Sequence, residues 1–458
     1  MLASRFSNRL KPVPEPIARQ IATLAPVTPV PAPGPDFLDL KVRLHQSLLD
    51  EINLSVIERM PKEQFVSEVG DIIRELLVNE TTPLNERERK QIVKDVLDEV
   101  MGLGPLEPLL REDTIDDILV NTFDKVYVER QGRLELTPVR FQDNAHLLRI
   151  INKMVAAVGR RVDEGQPVVD ARLADGSRIN AVVPPVAVDG PLLSIRKFAK
   201  RPFDLDLLIE NGTITSDMAV MLQGMVRGKI SILISGGTGT GKTTMLNALS
   251  KAINPRERIV TIEDAAELQL QQPHVARLET RPPNADGRGE VTQRDLVKNA
   301  LRMRPDRIIL GEVRADEAFD MLQAMNTGHE GSMSTIHANS PRDAITRLEQ
   351  VIGMAGLEMS PRTIRSQIVS AIQVVMQLAR GTDGRRRLIS LQEMAGMEGD
   401  VPTMNEILRF VRTGTDADGN LHGHYEWKGI RPRFVEQLES MGIVLPNGLF
   451  MSHRRAAE

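Results

Sequence analysis

The run Gly236-Gly237-Thr238-Gly239-Thr240-Gly241-Lys242-Thr243-Thr244 contains every group needed to hold a nucleoside triphosphate and its magnesium. Its glycines let backbone N–H groups turn toward phosphate oxygens, Lys242 can reach the β and γ oxygens, and the Thr243 hydroxyl can coordinate Mg²⁺. Ile230, Ile232, Leu233 and Ile234 precede it as a short apolar run suited to a buried parallel strand; Met245, Leu246 and Leu249 follow with helical spacing. The loop is therefore expected to join a strand to a helix N-terminus, where the dipole favours anions.

Ligands of an open parallel sheet bind beyond the carboxyl ends of its strands, so the polar residues after other apolar runs are the next candidates. Glu263-Asp264 with Glu267 follows one run and Glu312 another; His337 and Asn339 follow a third, with Thr327, Gly328 and His329 just ahead of it. Glu312 is expected to be the catalytic carboxylate. Position 311 is glycine where many P-loop proteins carry an aspartate, so Thr243 and waters must carry more of the magnesium coordination, with Glu263 or Glu312 holding those waters. Either glutamate could instead form a surface ion pair, but a strand end beside a phosphate site is a costly place for an idle charge. His329 and His337 do not have the spacing of a zinc pair on one helical face, and the chain has no cysteine to complete such a site. A neutral imidazole can donate to a γ-phosphate oxygen; a histidine satisfied within the fold is the competing reading for both.

At 458 residues the chain exceeds one core, and about 150 residues per domain suggests roughly three units. A net charge of -4, with both signs abundant, gives no global mark of a nucleic-acid binder. The absence of cysteine fits a reducing compartment and removes disulfides and thiolate chemistry. No stretch approaches the roughly 18 apolar residues of a membrane span. Prolines follow the basic N-terminal residues where a secretory signal would have an apolar stretch. Any membrane association is expected through a partner.

Residues 1–36 read as a proline-rich, disordered tether. Residues 37–103 carry three helical patterns, through Leu44, Leu48, Ile52 and Val56, through Phe65, Val69, Ile72 and Leu76, and through Ile92, Val96 and Val100. Asn85 and Glu88 suit a capping box before the last, and a three-helix bundle is the economical reading. Residues 104–203 read as a smaller α/β domain with arginines at 160, 161, 172, 178 and 196. Residues 204–400 alternate apolar strands and amphipathic helices, which implies a largely parallel, doubly wound sheet; 401–458 read as a C-terminal extension.

Four boxes together resemble the secretion-superfamily ATPases of type II and type IV secretion and type IV pili. They are GGTGTGKTT at 236–244, TIEDAAE at 261–267, RPDRIILGEVR at 304–314 and TGHEGSMSTIHAN at 327–339. The stretches GPLEPLL at 104–110 and VDARLADGSRINAVVPPVAVDGPLLSIRKF at 169–198 resemble the CpaF subgroup, the motor of Tad (Flp) pili. The resemblance covers about 104–400. It implies a homohexameric ring whose protomers join an N-terminal α/β (PAS-like) domain to a RecA-like domain. It also implies ATP and Mg²⁺ as cofactors, bound by residues 236–244 with His329 nearby. Lys242 and Thr243 would hold phosphate and Mg²⁺, Glu263 and Glu312 would support hydrolysis, and His337 would sense the γ-phosphate. Arg178 and Arg196 are the candidates to neutralise transition-state charge, with Arg172, Arg277 and Arg281 close behind. The resemblance further implies a cytoplasmic protein at the inner membrane, docked on platform proteins of a pilus. Some relatives carry a tetracysteine zinc subdomain, which this chain cannot form.

Two other readings compete, a type IV secretion ATPase and a RecA-like nucleic-acid translocase, since fold alone does not settle function. The single tryptophan, two tyrosines and acidic net charge count against a stacking channel for nucleic-acid strands.

Overall fold

The computed structural model describes residues 40–456 apart from 42, 45–46, 49–61, 79, 81–83, 131, 199–203, 282, 284–286, 357, 417–418 and 453. The expected tether at 1–36, and Ile52 and Val56 of the first helical pattern, lie outside the described residues. Helical residues between 40 and 48 precede α1 (Lys62–Val78) and α2 (Glu86–Met101). Leu40, Leu44 and Leu48 share one apolar cluster with Val69, Ile73 and Leu77 of α1 and Ile92 and Val96 of α2. The buried row of α1 is thus Val69-Ile73-Leu77, with Ile72 and Leu76 half-buried at its flank, because two adjacent apolar rows run along this helix. Asn85 accepts from the Glu88 N–H, and the Glu88 carboxylate accepts from the Asn85 N–H, each at 2.9 Å, which closes the capping box of α2.

A short helix, α3 (Glu107–Arg111), leads into a wholly antiparallel sheet of β1 (Ile115–Thr122), β2 (Lys125–Arg130), β3 (Arg133–Leu136), β4 (Val168–Arg172), β5 (Arg178–Val182) and β6 (Leu192–Arg196). Its order is β3-β2-β1-β6-β5-β4. Between β3 and β4, α4 (Asn144–Ala156) lays Leu147, Ile151 and Met154 on one face, against Ile118, Val128, Ala181 and Ile195. Period-2 alternation sends the neighbouring residues to the other face. There the register aligns Arg172, Arg178, Arg196 and Asp117 in one row across four strands.

After α5 (Leu205–Glu210) and α6 (Ser216–Arg227) comes the second sheet. Its elements run β7 (Ile232–Gly236), α7 (Lys242–Ser250), β8 (Ile259–Glu263), β9 (Val275–Glu279), α8 (Gln293–Ala300), β10 (Arg307–Val313), α9 (Glu317–Asn326), β11 (Met333–Ile336), α10 (Pro341–Met354), α11 (Pro361–Ala371) and β12 (Val374–Arg380). The strands from β12 to β9 are parallel, in the order β12-β7-β11-β10-β8-β9. Ile232 and Ile234 of β7 pack with Met221, Met245 and Leu249 on one face, while Leu233 packs with Ile262, Leu310 and Leu322 on the other. Burial on both faces explains why these strands read as continuous apolar runs.

Residues 401–456 continue this sheet rather than standing apart from it. β13 (Arg386–Glu398), β14 (Val401–Thr415), β15 (Leu421–Trp427) and β16 (Arg454–Ala456) add an antiparallel wing on β12, and α12 (Phe434–Ser440) packs beneath it with Tyr425 and Trp427 in the main core. Gly414 and Gly419 lie at the turn end of the β14–β15 hairpin.

Candidate active site

The loop after β7 turns through Gly239 (φ 71°) and Gly241 (φ 91°), left-handed conformations that glycine adopts without strain, and Gly241 caps α7. Lys242 is the first residue of that helix and is 8% exposed. Its ammonium donates to the carbonyls of Gly236 (3.0 Å) and Gly237 (2.9 Å), so the lysine lies back along its own loop. Burial lowers its pKa, against the opposing charge of Glu312.

Glu263 ends β8 and is 4% exposed. One carboxylate oxygen accepts from the N–H groups of Glu267 (2.7 Å) and Leu268 (2.9 Å); the other is buried without a hydrogen-bond partner. Burial pushes its pKa up to about 7, against those two N–H groups and the charge of Arg277. Gly311 stands directly beside it: a Cβ there would lie 2.9 Å from Glu263 Cγ. The glycine found where many P-loop proteins have an aspartate is therefore a steric requirement, because the Glu263 stem fills that space. The pairing of β10 with β11 shifts between Leu310 and Val313, and Glu312 lies in this irregular stretch.

Glu312 Oε1 lies 2.9 Å from His337 Nε2, and Glu312 Oε2 accepts from Arg314 at 2.8 Å. His337 Nε2 is also 3.3 Å from the Lys242 ammonium. Burial, then the charge of Lys242, holds the His337 pKa below its ordinary value, although Glu312 pulls the other way. This shift favours the neutral imidazole. Arg314 reaches Asp264 as well (3.1 Å), tying the loop after β8 to β10.

Thr243, Glu263, Asp264, Gly311, Glu312 and Arg314 line one cavity, and Arg178 closes it from the other sheet. Arg178 is ion-paired to Glu267 at 2.7 Å. Arg172 donates to the Ala266 carbonyl and pairs with Glu279 (3.1 Å), so the arginine row faces the loop after β8. Arg196 stands beside Arg178 in that row but is paired to Asp117 (3.2 Å) and does not line the cavity. Arg277 donates to the Ala266 carbonyl (3.2 Å) and Arg281 to the Gly289 carbonyl (2.5 Å).

His329 is not brought to the phosphate loop. It precedes β11, which runs parallel to β7, so it sits at the amino-end edge of the sheet, with Nδ1 3.2 Å from the Ala324 carbonyl. His337, at the other end of the same short strand, is the histidine delivered to the site. Two lining residues escaped the reading of the sequence. Arg314 was signalled only by following Glu312 within the same box. Gln293, the first residue of α8, is buried with its side-chain oxygen unpartnered, and nothing in its sequence context singles it out.

The site suits a magnesium nucleotide. Left-handed glycines shape the cradle, a helix N-terminus faces it, and the Thr243 side chain shares a cavity with carboxylates of which one buried oxygen is unpartnered.

The family described as type II/IV secretion system protein matches residues 99–405. A Mycobacterium tuberculosis protein named for conjugal transfer is 42% identical over 309 residues, covering 66% of this chain and 87% of that protein. The type IV secretion system protein PtlH of Bordetella pertussis is 35% identical over 327 residues, 64% of this chain and 95% of that protein. Among solved structures, the VirB11 ATPase of the Brucella suis type IV secretion system, in complex with sulphate, is 27% identical, with a TM-score of 0.34 over 64% of this chain and 96% of that one. With the match spanning both sheets of the site, the chain belongs to the type II/IV secretion system protein family.

Proposed function

We propose that the chain is a ring-forming ATPase that turns hydrolysis into relative movement of its two sheets, driving a Tad/Flp type IV pilus through inner-membrane platform proteins. One observation carries the reading: a single cavity combines Thr243 of the P-loop, two strand-end glutamates and an arginine from the other sheet. Bound Mg²⁺ would bridge phosphate oxygens and neutralise developing charge. Lys242 would swing from the carbonyls of Gly236 and Gly237 to the phosphates. Glu312 would orient the attacking water, and Glu263 would hold metal-bound water. Neutral His337, within reach of both Lys242 and Glu312, would register the γ-phosphate. Arg178 would leave Glu267 for the transition-state charge, and Arg196 would support it from the adjacent strand.

Purified Glu312→Gln protein should bind ATP and lose most turnover, whereas Lys242→Ala should lose binding too. Unchanged ATP consumption by Glu312→Gln would overturn the assignment. Sedimentation with and without nucleotide tests the hexamer. Capture of membrane proteins by the Lys242→Ala and wild-type forms tests the platform contact.

A type IV secretion role is the second reading, favoured by the similarity to PtlH, a type IV secretion system protein. Loss of secreted substrate with surface pili intact, in a deletion strain, would select it. Turnover rising steeply with DNA at low salt would instead favour a translocase.

A further inference from the structure

Two arginines at the junction of β12 and β13 border the phosphate loop. β12 lies beside β7 with Leu378 opposite Gly236, so Arg380, two residues on, extends past the strand end where the loop begins. Arg386 pairs directly across from Arg380 as the first residue of β13. Its Nε donates to the Gly239 carbonyl at 2.9 Å, and a Cβ on Gly239 would lie 3.6 Å from the Arg380 guanidinium. Both guanidiniums turn to one carboxylate of the other sheet, Glu129 on β2, at 3.4 and 3.9 Å. The turn after β2 is shaped to this approach: Gly132 has φ 78°, and any Cβ there would collide with the Arg380 guanidinium.

Asp116 lies within electrostatic reach of Arg386 as well, but Glu129 is the carboxylate that both guanidiniums approach directly beside the phosphate cradle. The distances are long for charge-assisted hydrogen bonds, and the arginines are 28% and 35% exposed, so each pair is held loosely. A polyphosphate offers several oxygens in the geometry that guanidinium forks match, and it carries more charge than Glu129. It should displace the glutamate.

We propose that Arg380 and Arg386 form a second cationic subsite for the nucleotide polyphosphate, and that Glu129 is the carboxylate they release when the loop fills. Loading of the loop is then signalled to the first sheet through β2, a different strand from the one that carries Arg178. The proposal rests on the ATP-binding reading above.

Equilibrium titration with a fluorescent ATP analogue and Mg²⁺ tests it in the full chain. Arg380→Gln with Arg386→Gln should weaken binding about tenfold or more. Glu129→Gln should tighten binding roughly fivefold, a gain that misfolding cannot imitate, and the gain should vanish in the double-arginine background. Unchanged or weaker binding by Glu129→Gln, or a gain that persists without the arginines, overturns the proposal. Equal binding by wild type and Lys242→Ala instead sinks the phosphate-loop reading itself.

Discussion

Both ends of the parallel sheet bury charge, but they treat it differently. At the amino end Arg307 is fully buried, and its guanidinium donates to Glu257 (2.6 and 3.1 Å) and to the carbonyls of Gly331 (3.1 Å) and Val226 (2.8 Å). At the carboxyl end Glu263 is almost as deeply buried, yet one oxygen has no partner and burial holds its pKa near 7. A satisfied buried ion pins strands together; an incompletely satisfied one is poised for something the protein has not yet bound. The same contrast separates the histidines at either end of β11. His329 bonds to a helix carbonyl, and His337 lies between a lysine and a carboxylate.

That difference can be broken from either end. The largest effect is expected from Arg307→Met, which leaves the half-buried Glu257 and the carbonyls of Gly331 and Val226 without their donor. It should cost about 3–5 kcal/mol of stability, seen as a lowered thermal midpoint, while activity per folded molecule is retained. If activity falls and stability does not, the amino end is not merely structural.

At the carboxyl end, Glu312→Gln should lower kcat by about 10²–10⁴ with nucleotide affinity and thermal midpoint close to wild type, as steady-state assays and melting curves would show. A comparable loss of stability would place Glu312 with Arg307 as a structural ion.

Gly311→Ala is a smaller perturbation at the same end. Its Cβ would press on the Glu263 stem, and overpacking of this kind costs about 1–3 kcal/mol. Urea unfolding should report the cost, and Glu263→Ala in the same chain should relieve it by making room. Absence of relief would disconnect the glycine from the glutamate.

The smallest effect concerns pH. The Glu263 pKa is raised on folding, from an ordinary value of 4.5 to about 7. The native state therefore holds this proton more tightly than the unfolded chain does. The resulting stability is fully present below about pH 4.5 and is lost as pH rises through about 7. Without nucleotide, the thermal midpoint of wild type relative to Glu263→Gln should fall across that window. Parallel profiles would show that Glu263 does not titrate there.

The phosphate loop, Glu263, Glu312 and His337 were legible because each follows a short, largely apolar or small-residue run buried on both faces of a parallel sheet. The antiparallel strands were harder to see. The wing from β13 to β15 has one face partly exposed, so its pattern is diluted with arginine, glutamate and glycine. Arg178 and Arg196 could be named only among several arginines, because strand register separates the one that reaches the cavity from the one paired to Asp117.

Sequence alone determined that this chain carries a phosphate-loop motif at a strand-to-helix turn, and which acids end the neighbouring strands. Those features are local: glycine conformations, helix dipole and hydrophobic period act over a few residues. Tertiary structure decided which histidine lies beside Lys242, why position 311 must be glycine, that Arg178 reaches the cavity, and that Arg380, Arg386 and Glu129 meet beside the loop from distant segments. Strand direction, excluded volume and cross-strand register set those relations, and each is a property of chains packed together rather than of any one stretch.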